Sequence, residues 1–446
     1  MKNYKKIIAI FTLLFTFVLS GTLAFAKPKT SGTKPSTPTN LAASNITTGS
    51  ATLSWTAVSG ATGYKLYRAT LNDTNYSLIA TISTTSYNNT GLTANTKYWY
   101  YVAAYNSYGT SAGSTHINLT TVQVPAPTPT PTTKKLVLGF TTYYYSGDTS
   151  SYNSMVANTS TIDEIATQNY TTDGLGNVSG LIPTNQLTYA NNNGIKTLAM
   201  IQNNFDGNIA KSVLESPTNR QALINNMLTA MKANGYKGIN VDLEGVYYYD
   251  RSYYTTFMSE LYNTLKPQGF TVTVAVPAKT SDSPTNTWSG AYDYAQLANY
   301  ADQIVLMTYD EHYPGGTAGA VASIGWVENV IKYAVTVIPK EKIILGTAAY
   351  GYDWSTNGTK AYGINGMYNL AAANGATVLF DSVSKTPYFN YTDATGIAHS
   401  AWFENSTSVG YKLDLVNSYD LSGIAIWRLG LENADYWTTI KTKFNR

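Results

Sequence analysis

Gly238-Ile239-Asn240-Val241-Asp242-Leu243-Glu244 reads as a β-strand, because Ile239, Val241 and Leu243 alternate with Asn240, Asp242 and Glu244. A period of two puts the apolar three on one face and the polar three on the other. A run with helical spacing, Ala222 to Met231, precedes it, and another, Tyr253 to Leu265, follows. A strand between helices belongs to a parallel sheet, which is normally covered on both faces. Two carboxylates and an amide on a covered strand are costly unless they line a site. The competing reading is an edge strand with a solvated polar face. The flanking helices favour a catalytic strand.

With 446 residues the chain exceeds one ordinary domain and is long enough to bury a large core. Charged residues make up 12%, against a usual share of about 25%. The formal charge is +3, but Lys2, Lys5 and Lys6 lie in a segment expected to be removed. Without them the 29 basic residues fall to 26, equal to the 26 acidic ones. That balance points to neither nucleic acid nor an anionic membrane as partner. There are no cysteines, which excludes a disulfide framework and a thiolate metal site.

Met1 to Lys6 is a basic n-region, Ile7 to Leu19 an apolar h-region, and Ala24-Phe25-Ala26 a small-x-small cleavage signal. Residues 1–26 therefore read as a signal peptide, the apolar core being short for a membrane span. The mature protein is expected to start near Lys27, to be secreted or cell-wall associated, and to work as a monomer free of the membrane. Residues 27–38 are a flexible lead-in rich in Pro, Thr, Ser and Lys.

From 39 to 122 the texture changes to short alternating strands, such as Ala51 to Trp55, Gly63 to Arg68 and Lys97 to Val102. Gly60, Asn89, Gly91 and Asn106 punctuate them. This is the pattern of a small β-sandwich. With Trp55 in an early strand, Leu92 to Tyr98 placed like a tyrosine corner, and Tyr98, Tyr100, Val102 and Ala104 alternating after it, the segment resembles fibronectin type III modules. Its aromatics are expected in core and corner positions, and the module is read as a spacer or weak adhesion unit. Residues 123–134, with Pro-Ala-Pro-Thr-Pro-Thr-Pro-Thr, form a stiff extended linker.

From 135 to 446, strand-like and helix-like runs alternate. Strands are expected at Leu136–Tyr144, weakly near Val178, at Lys196–Asn203, at the opening stretch, and at Phe270–Pro277, Gln303–Tyr309, Lys342–Tyr350 and Gly423–Arg428. Helices are expected at Ile162–Gln168, Asn185–Asn193, Asn219–Ala233, Tyr292–Tyr300 and Val327–Val337. Eight such units fit an α/β fold, the (β/α)8 TIM barrel. A doubly wound sheet is the alternative, but no Gly-rich phosphate loop follows the first strand. Residues 355–421 are read as a small α+β insertion between the seventh and eighth strands, with strands at Ala376–Asp381, Pro387–Tyr391 and His399–Glu404 and a return helix at Val409–Val416. Leaving the catalytic end of a barrel, it would raise one wall of a groove.

In such barrels the chemistry sits at the carboxyl ends of the strands. Those ends carry Tyr143 and Tyr144, Asn203 and Asn204, Asp242 and Glu244, Met307 to His312, Tyr350 to Trp354, and Trp427. Aromatic faces beside carboxylates suit a carbohydrate, whose C–H face packs on rings while its hydroxyls bond to acids and amides. Metal chemistry is not expected, since His116, His312 and His399 are scattered without ligand spacing, and no cofactor motif is present. His312 is expected to line the groove.

Here the sequence resembles the family 18 glycoside hydrolases, whose fourth strand carries Asp-x-x-Asp-x-Asp-x-Glu. The corresponding residues are Lys237, Asn240, Asp242 and Glu244, while Met307, Tyr309 and Asp310 match the sixth-strand motif and Trp427 the tryptophan flooring the sugar site. Gly238 to Glu244, Trp402-Phe403-Glu404 and Ile426 to Gly430 look closest to the bacterial cell-wall and spore-cortex branch. The resemblance implies retaining, substrate-assisted hydrolysis of N-acetylglucosamine glycans, peptidoglycan or chitin. Glu244 would be general acid and base, Asp242 would orient the substrate's acetamide, and Tyr309 and Asp310 would hold it. Asn240, Tyr144, Asn203, Met307, Tyr350 and Trp427 are the expected substrate contacts. Lys237 and Asn240 depart from the family's aspartates, and Asn240 cannot share a titrating proton with Asp242. A non-catalytic lectin on the same barrel is the alternative, but such proteins typically lack the acid that Glu244 supplies.

Overall fold

The structure is a computed structural model that describes residues 32–70, 72–122 and 134–446. The expected signal peptide and residues 123–133 of the expected linker lie outside the described residues. The chain divides into two compact units, Met1–Thr128 and Pro129–Arg446.

The first unit is a β-sandwich. Strands Ala42–Ser44, Ser50–Ser54 and Ser86–Thr90 form one antiparallel sheet. Strands Gly63–Thr70, Ser77–Ile82, Lys97–Asn106, Gly109–Thr110 and Ile117–Thr120 form the other. Alternation drives the core, since Tyr98, Tyr100, Val102 and Ala104 all turn inward against Leu53, Trp55, Tyr64 and Leu66. The Tyr98 hydroxyl accepts the Thr93 backbone N–H at 2.9 Å, which closes a tyrosine corner.

The second unit is a closed barrel of eight parallel strands: β1 (Leu136–Thr142), β2 (Glu164–Thr172), β3 (Lys196–Gln202), β4 (Gly238–Asp242), β5 (Thr271–Pro277), β6 (Gln303–Met307), β7 (Ile343–Ala348) and β8 (Gly423–Trp427). Closure is direct, because β1 pairs in parallel with both β2 and β8. Around it lie α1 (Ser150–Ala157), α2 (Thr184–Asn192), α3 (Gly207–Glu215), α4 (Pro217–Ala233), α5 (Arg251–Leu265), α6 (Tyr294–Leu297) and α7 (Ile324–Val337). Then come α8 (Ile364–Ala373), α9 (Ser406–Ser418) and α10 (Ala434–Phe444). Among the described residues no helix is long and apolar enough to cross a membrane.

Strand parity separates two cores. Ile239, Val241 and Leu243 belong to the layer between sheet and helices, with Tyr254, Phe257 and Leu261 of α5. The barrel interior is filled by Leu138, Phe140, Leu198, Met200, Ala275, Val305, Ile344 and Ala425. Met200 pairs with Asn240, and Asn240 with Thr273, so Asn240 and Asp242 point inward with that set.

Three expectations need correction. Ile162–Gln168 is not a helix: Glu164–Thr172 is the second barrel strand, and the preceding helix is α1. Val178–Ser179 is only a short antiparallel edge against that strand. The register of β2 shifts between Gln168 and Tyr170, so a bulge interrupts its period of two and hides the alternation. The insertion is also larger than expected. Its five-stranded antiparallel sheet begins at Tyr350, one residue after β7, and includes Tyr350–Ser355 and Gly358–Gly363 before α8. Leu379–Asp381, Thr386–Thr392 and Ala398–Phe403 complete it.

Candidate active site

Asp242 ends β4 on the barrel interior and is 6% exposed, while Glu244, next but one along the chain, is half-buried at the mouth. Burial raises both carboxyls above their ordinary range. For Glu244 the charges of Asp242 and then Asp310 add to that effect. An acid surrounded by two other carboxylates keeps its proton near neutrality. Tyr309 is raised as well, by burial first and then by Asp242, Glu244 and Asp310. Its hydroxyl is therefore a neutral donor among three acids. The structure thus brings together Asp242, Glu244, Tyr309 and Asp310.

Asp310 is exposed as a residue and sits in a left-handed backbone conformation, φ +59°. Its Oδ1 accepts from the hydroxyls of Tyr350 at 2.5 Å and Tyr352 at 2.9 Å. Desolvation pushes the carboxyl up against those two bonds. The carboxylate head is thereby fixed, and among the described residues no hydrogen bond reaches Oδ2. Trp427, at the end of β8, stands edge-on to Phe140, with centroids 5.4 Å apart. A cavity of about 280 Å³ opens between Asp310, Tyr350, Tyr352, Tyr362, Trp427 and Arg428.

The remaining expected contacts divide. Met307 is half-buried and joins the interior cluster. Tyr144 is 59% exposed, with the Arg428 guanidinium 5.5 Å from its ring centre. Asn203 turns both ends of its amide to backbone. It is fully buried, donates to the Glu244 carbonyl at 2.8 Å and to the Asp206 carbonyl at 2.9 Å, and accepts the Glu244 N–H at 2.8 Å. Its work is to hold the Glu244 backbone. Asn240 is likewise fully buried, and its Nδ2 donates to Thr273 Oγ1 at 2.8 Å. His312 Nδ1 lies 2.9 Å from the Ala320 carbonyl and braces its own loop.

Three supporting residues escaped the sequence reading. Thr273 donates its hydroxyl to the Ile239 carbonyl at 3.0 Å, so it accepts from Asn240. That fixes the amide and leaves Asn240 Oδ1 a buried acceptor without a partner, as is Asp242 Oδ1. Thr273 was legible as the inward partner of Asn240 only once the register was known. Behind β4, Tyr292 donates to the Leu243 carbonyl at 2.8 Å and packs edge-on against Tyr254 at 5.3 Å. Close approach also matters: a Cβ at Gly346 would lie 2.4 Å from the Leu306 carbonyl and 2.9 Å from the Tyr309 ring. Only glycine lets Tyr309 fold over β7.

Asp242 inside the barrel, Glu244 at its mouth, the half-buried Tyr309 and the tethered Asp310 belong to a chain with recognisable relatives. The sequence model for glycosyl hydrolases family 18 matches residues 97–432, and that for the fibronectin type III domain matches residues 36–120. The chain is 35% identical over 312 residues to the uncharacterized glycosylase YvbX of Bacillus subtilis (strain 168), covering 68% of this chain and 91% of that one. The crystal structure of the Bacillus megaterium QM B1551 spore cortex-lytic enzyme SleL superposes with a TM-score of 0.66 at 26% identity, over 73% of this chain and 77% of that one. A chitinase from Chromobacterium violaceum ATCC 12472 gives 0.65 at 28% identity, over 70% and 99%. The chain is a glycosidase that belongs to the glycosyl hydrolases of family 18.

Proposed function

We propose that the protein is an exported endo-β-N-acetylglucosaminidase that cuts β-1,4 bonds of N-acetylglucosamine glycans with retention, through substrate assistance. The observation that carries this is the placement of Glu244, desolvated and set beside the buried Asp242 at the carboxyl end of β4. Glu244 gives its proton to the glycosidic oxygen as the bond to the anomeric carbon breaks. The substrate's own N-acetyl carbonyl oxygen attacks that carbon, forming an oxazolinium-like intermediate. Asp242 receives the acetamido N–H and offsets the developing positive charge. Tyr309 donates its O–H to the acetamido oxygen region, and Asp310 offers Oδ2. Glu244, now ionised, takes a proton from the water that opens the intermediate.

Similarity to a spore cortex-lytic enzyme favours peptidoglycan, and similarity to a chitinase keeps chitin as the second substrate. Export rests on the sequence pattern of residues 1–26. The test is incubation with peptidoglycan and with chitin oligomers, followed by mass spectrometry. New reducing-end N-acetylglucosamine is expected. Reducing-end N-acetylmuramic acid identifies a muramidase instead, and no product from either polymer overturns the reading.

A further inference from the structure

Arg428 follows Trp427 at the end of β8 and lines the same cavity as Asp310, Tyr350 and Tyr352. It carries the one positive charge among the described residues of that lining. Its guanidinium stands 5.5 Å from the ring centre of Tyr144, just past the end of β1, the strand that β8 adjoins in the barrel. Cation–π attraction favours a planar cation at that distance. Arg428 is half-buried and Tyr144 exposed, so the pair belongs to the rim of the site.

Its partners set it apart. Of the four arginines after residue 134, the other three pair with carboxylates. Arg220 grips Glu260 with bonds of 2.8 and 2.9 Å, Arg251 lies 2.8 Å from both Asp282 and Asp293, and Arg446 pairs with Asp163. Arg428 has no ion pair among the described residues, and its one hydrogen bond there is a long one, 3.3 Å from Nη1 to the Leu429 carbonyl. A guanidinium holds five N–H donors in a planar fork. Asp310, the carboxylate that shares its cavity, takes its hydrogen bonds from Tyr350 and Tyr352 instead. Ion pairing within the protein therefore does not account for Arg428.

We propose that Arg428 is a specificity-determining residue that binds a carboxylate carried by the glycan, and so favours peptidoglycan over chitin. The inference rests on the glycan-cleaving function proposed above. A guanidinium fork matches a carboxylate with two parallel, charge-assisted hydrogen bonds, which a neutral hydroxyl or acetamide does not offer. Fully acetylated chitin has no ionised group. Peptidoglycan has two kinds: the lactyl carboxylate of a muramic acid without peptide, and the carboxylates of an attached peptide. On the rim beside Trp427, Arg428 is positioned for a substituent of the sugar next to the N-acetylglucosamine that is cut.

The test compares kcat/KM of the full chain, of Arg428→Gln and of Arg428→Lys on four soluble substrates. These are chitin oligomers, peptide-free peptidoglycan strands, the same strands with the lactyl carboxylate converted to its methyl amide, and peptide-bearing strands. Arg428→Gln should lower the ratio of kcat/KM on a carboxylate-bearing strand to that on chitin by about tenfold, and Arg428→Lys should recover part of it. A ratio is insensitive to any loss of folded protein. A fall on peptide-free strands that the methyl amide lacks identifies the lactyl carboxylate, and a fall confined to peptide-bearing strands identifies the peptide. An equal fall on neutral and charged substrates, or none on any, overturns the role of Arg428 alone. No cleavage of any substrate by the unaltered chain overturns the glycan reading and the role of Arg428 with it.

Discussion

At the scale of single residues, the site is built on desolvated acids, and this has two measurable consequences. Replacing Glu244 by Gln removes the proposed proton donor, and turnover of chitin oligomers should fall by about 10²–10⁴-fold with sugar binding retained. The second consequence is in stability. The fold holds Glu244 above its unfolded value, so it resists ionisation that the unfolded chain accepts. The stability tied to this group is full below the unfolded value and is lost as pH rises through the folded one. Glu244→Gln should therefore be increasingly more stable than the wild type as pH is raised, by urea titration at several pH values. An identical pH dependence in both proteins contradicts the buried neutral acid. Thr273 offers a third check, because its hydroxyl links Asn240 to the Ile239 carbonyl. Thr273→Val leaves buried polar groups unpaired and should cost about 1–3 kcal/mol in urea unfolding, with Thr273→Ser restoring most of it.

At the scale of elements, β4 was legible because its alternation is uninterrupted and its polar residues are expensive unless they line a cavity. The strand ends at β6 and β8 were legible for the same reason. β2 was not, because the bulge at Asn169 breaks the period and Ile162 with Ile165 mimics helical spacing. The first insertion strand was absorbed into β7, since Ala349 alone separates the two. Asn203 and Asn240 were recognised as site residues, but their partners are backbone or another strand's hydroxyl, which no local pattern reveals. Within the segment between β7 and β8, a buried ion pair ties α9 to the end of the insertion sheet: Lys412 lies 2.7 Å from Glu404, and Ser408 donates to the same oxygen at 2.6 Å. Lys412→Met strands Glu404 as an uncompensated buried charge and should cost about 3–5 kcal/mol by chemical denaturation. A loss below about 1 kcal/mol shows that Glu404 simply takes up a proton.

At the scale of the whole molecule, sandwich and barrel each have their own hydrophobic core. Separate cores predict separable folding. Deleting residues 27–133 should leave activity on soluble oligosaccharides intact, and an inactive but folded truncation shows that the sandwich takes part in catalysis. Both units are rich in tyrosine: in one it fills a sandwich and closes its corner, and in the other it packs between sheet and helices as well as lining the barrel mouth.

The two tyrosines that grip Asp310 are the first and third residues of the insertion, and the carboxylate they grip leaves the neighbouring strand. Insertion and barrel are therefore not interchangeable parts. Grafting a shorter loop from a relative between β7 and β8 would change the rim and also unmoor a proposed acetamide anchor. Engineers who wish to reshape substrate preference have a natural cut point just beyond Tyr352, which leaves both tyrosine contacts to Asp310 in place.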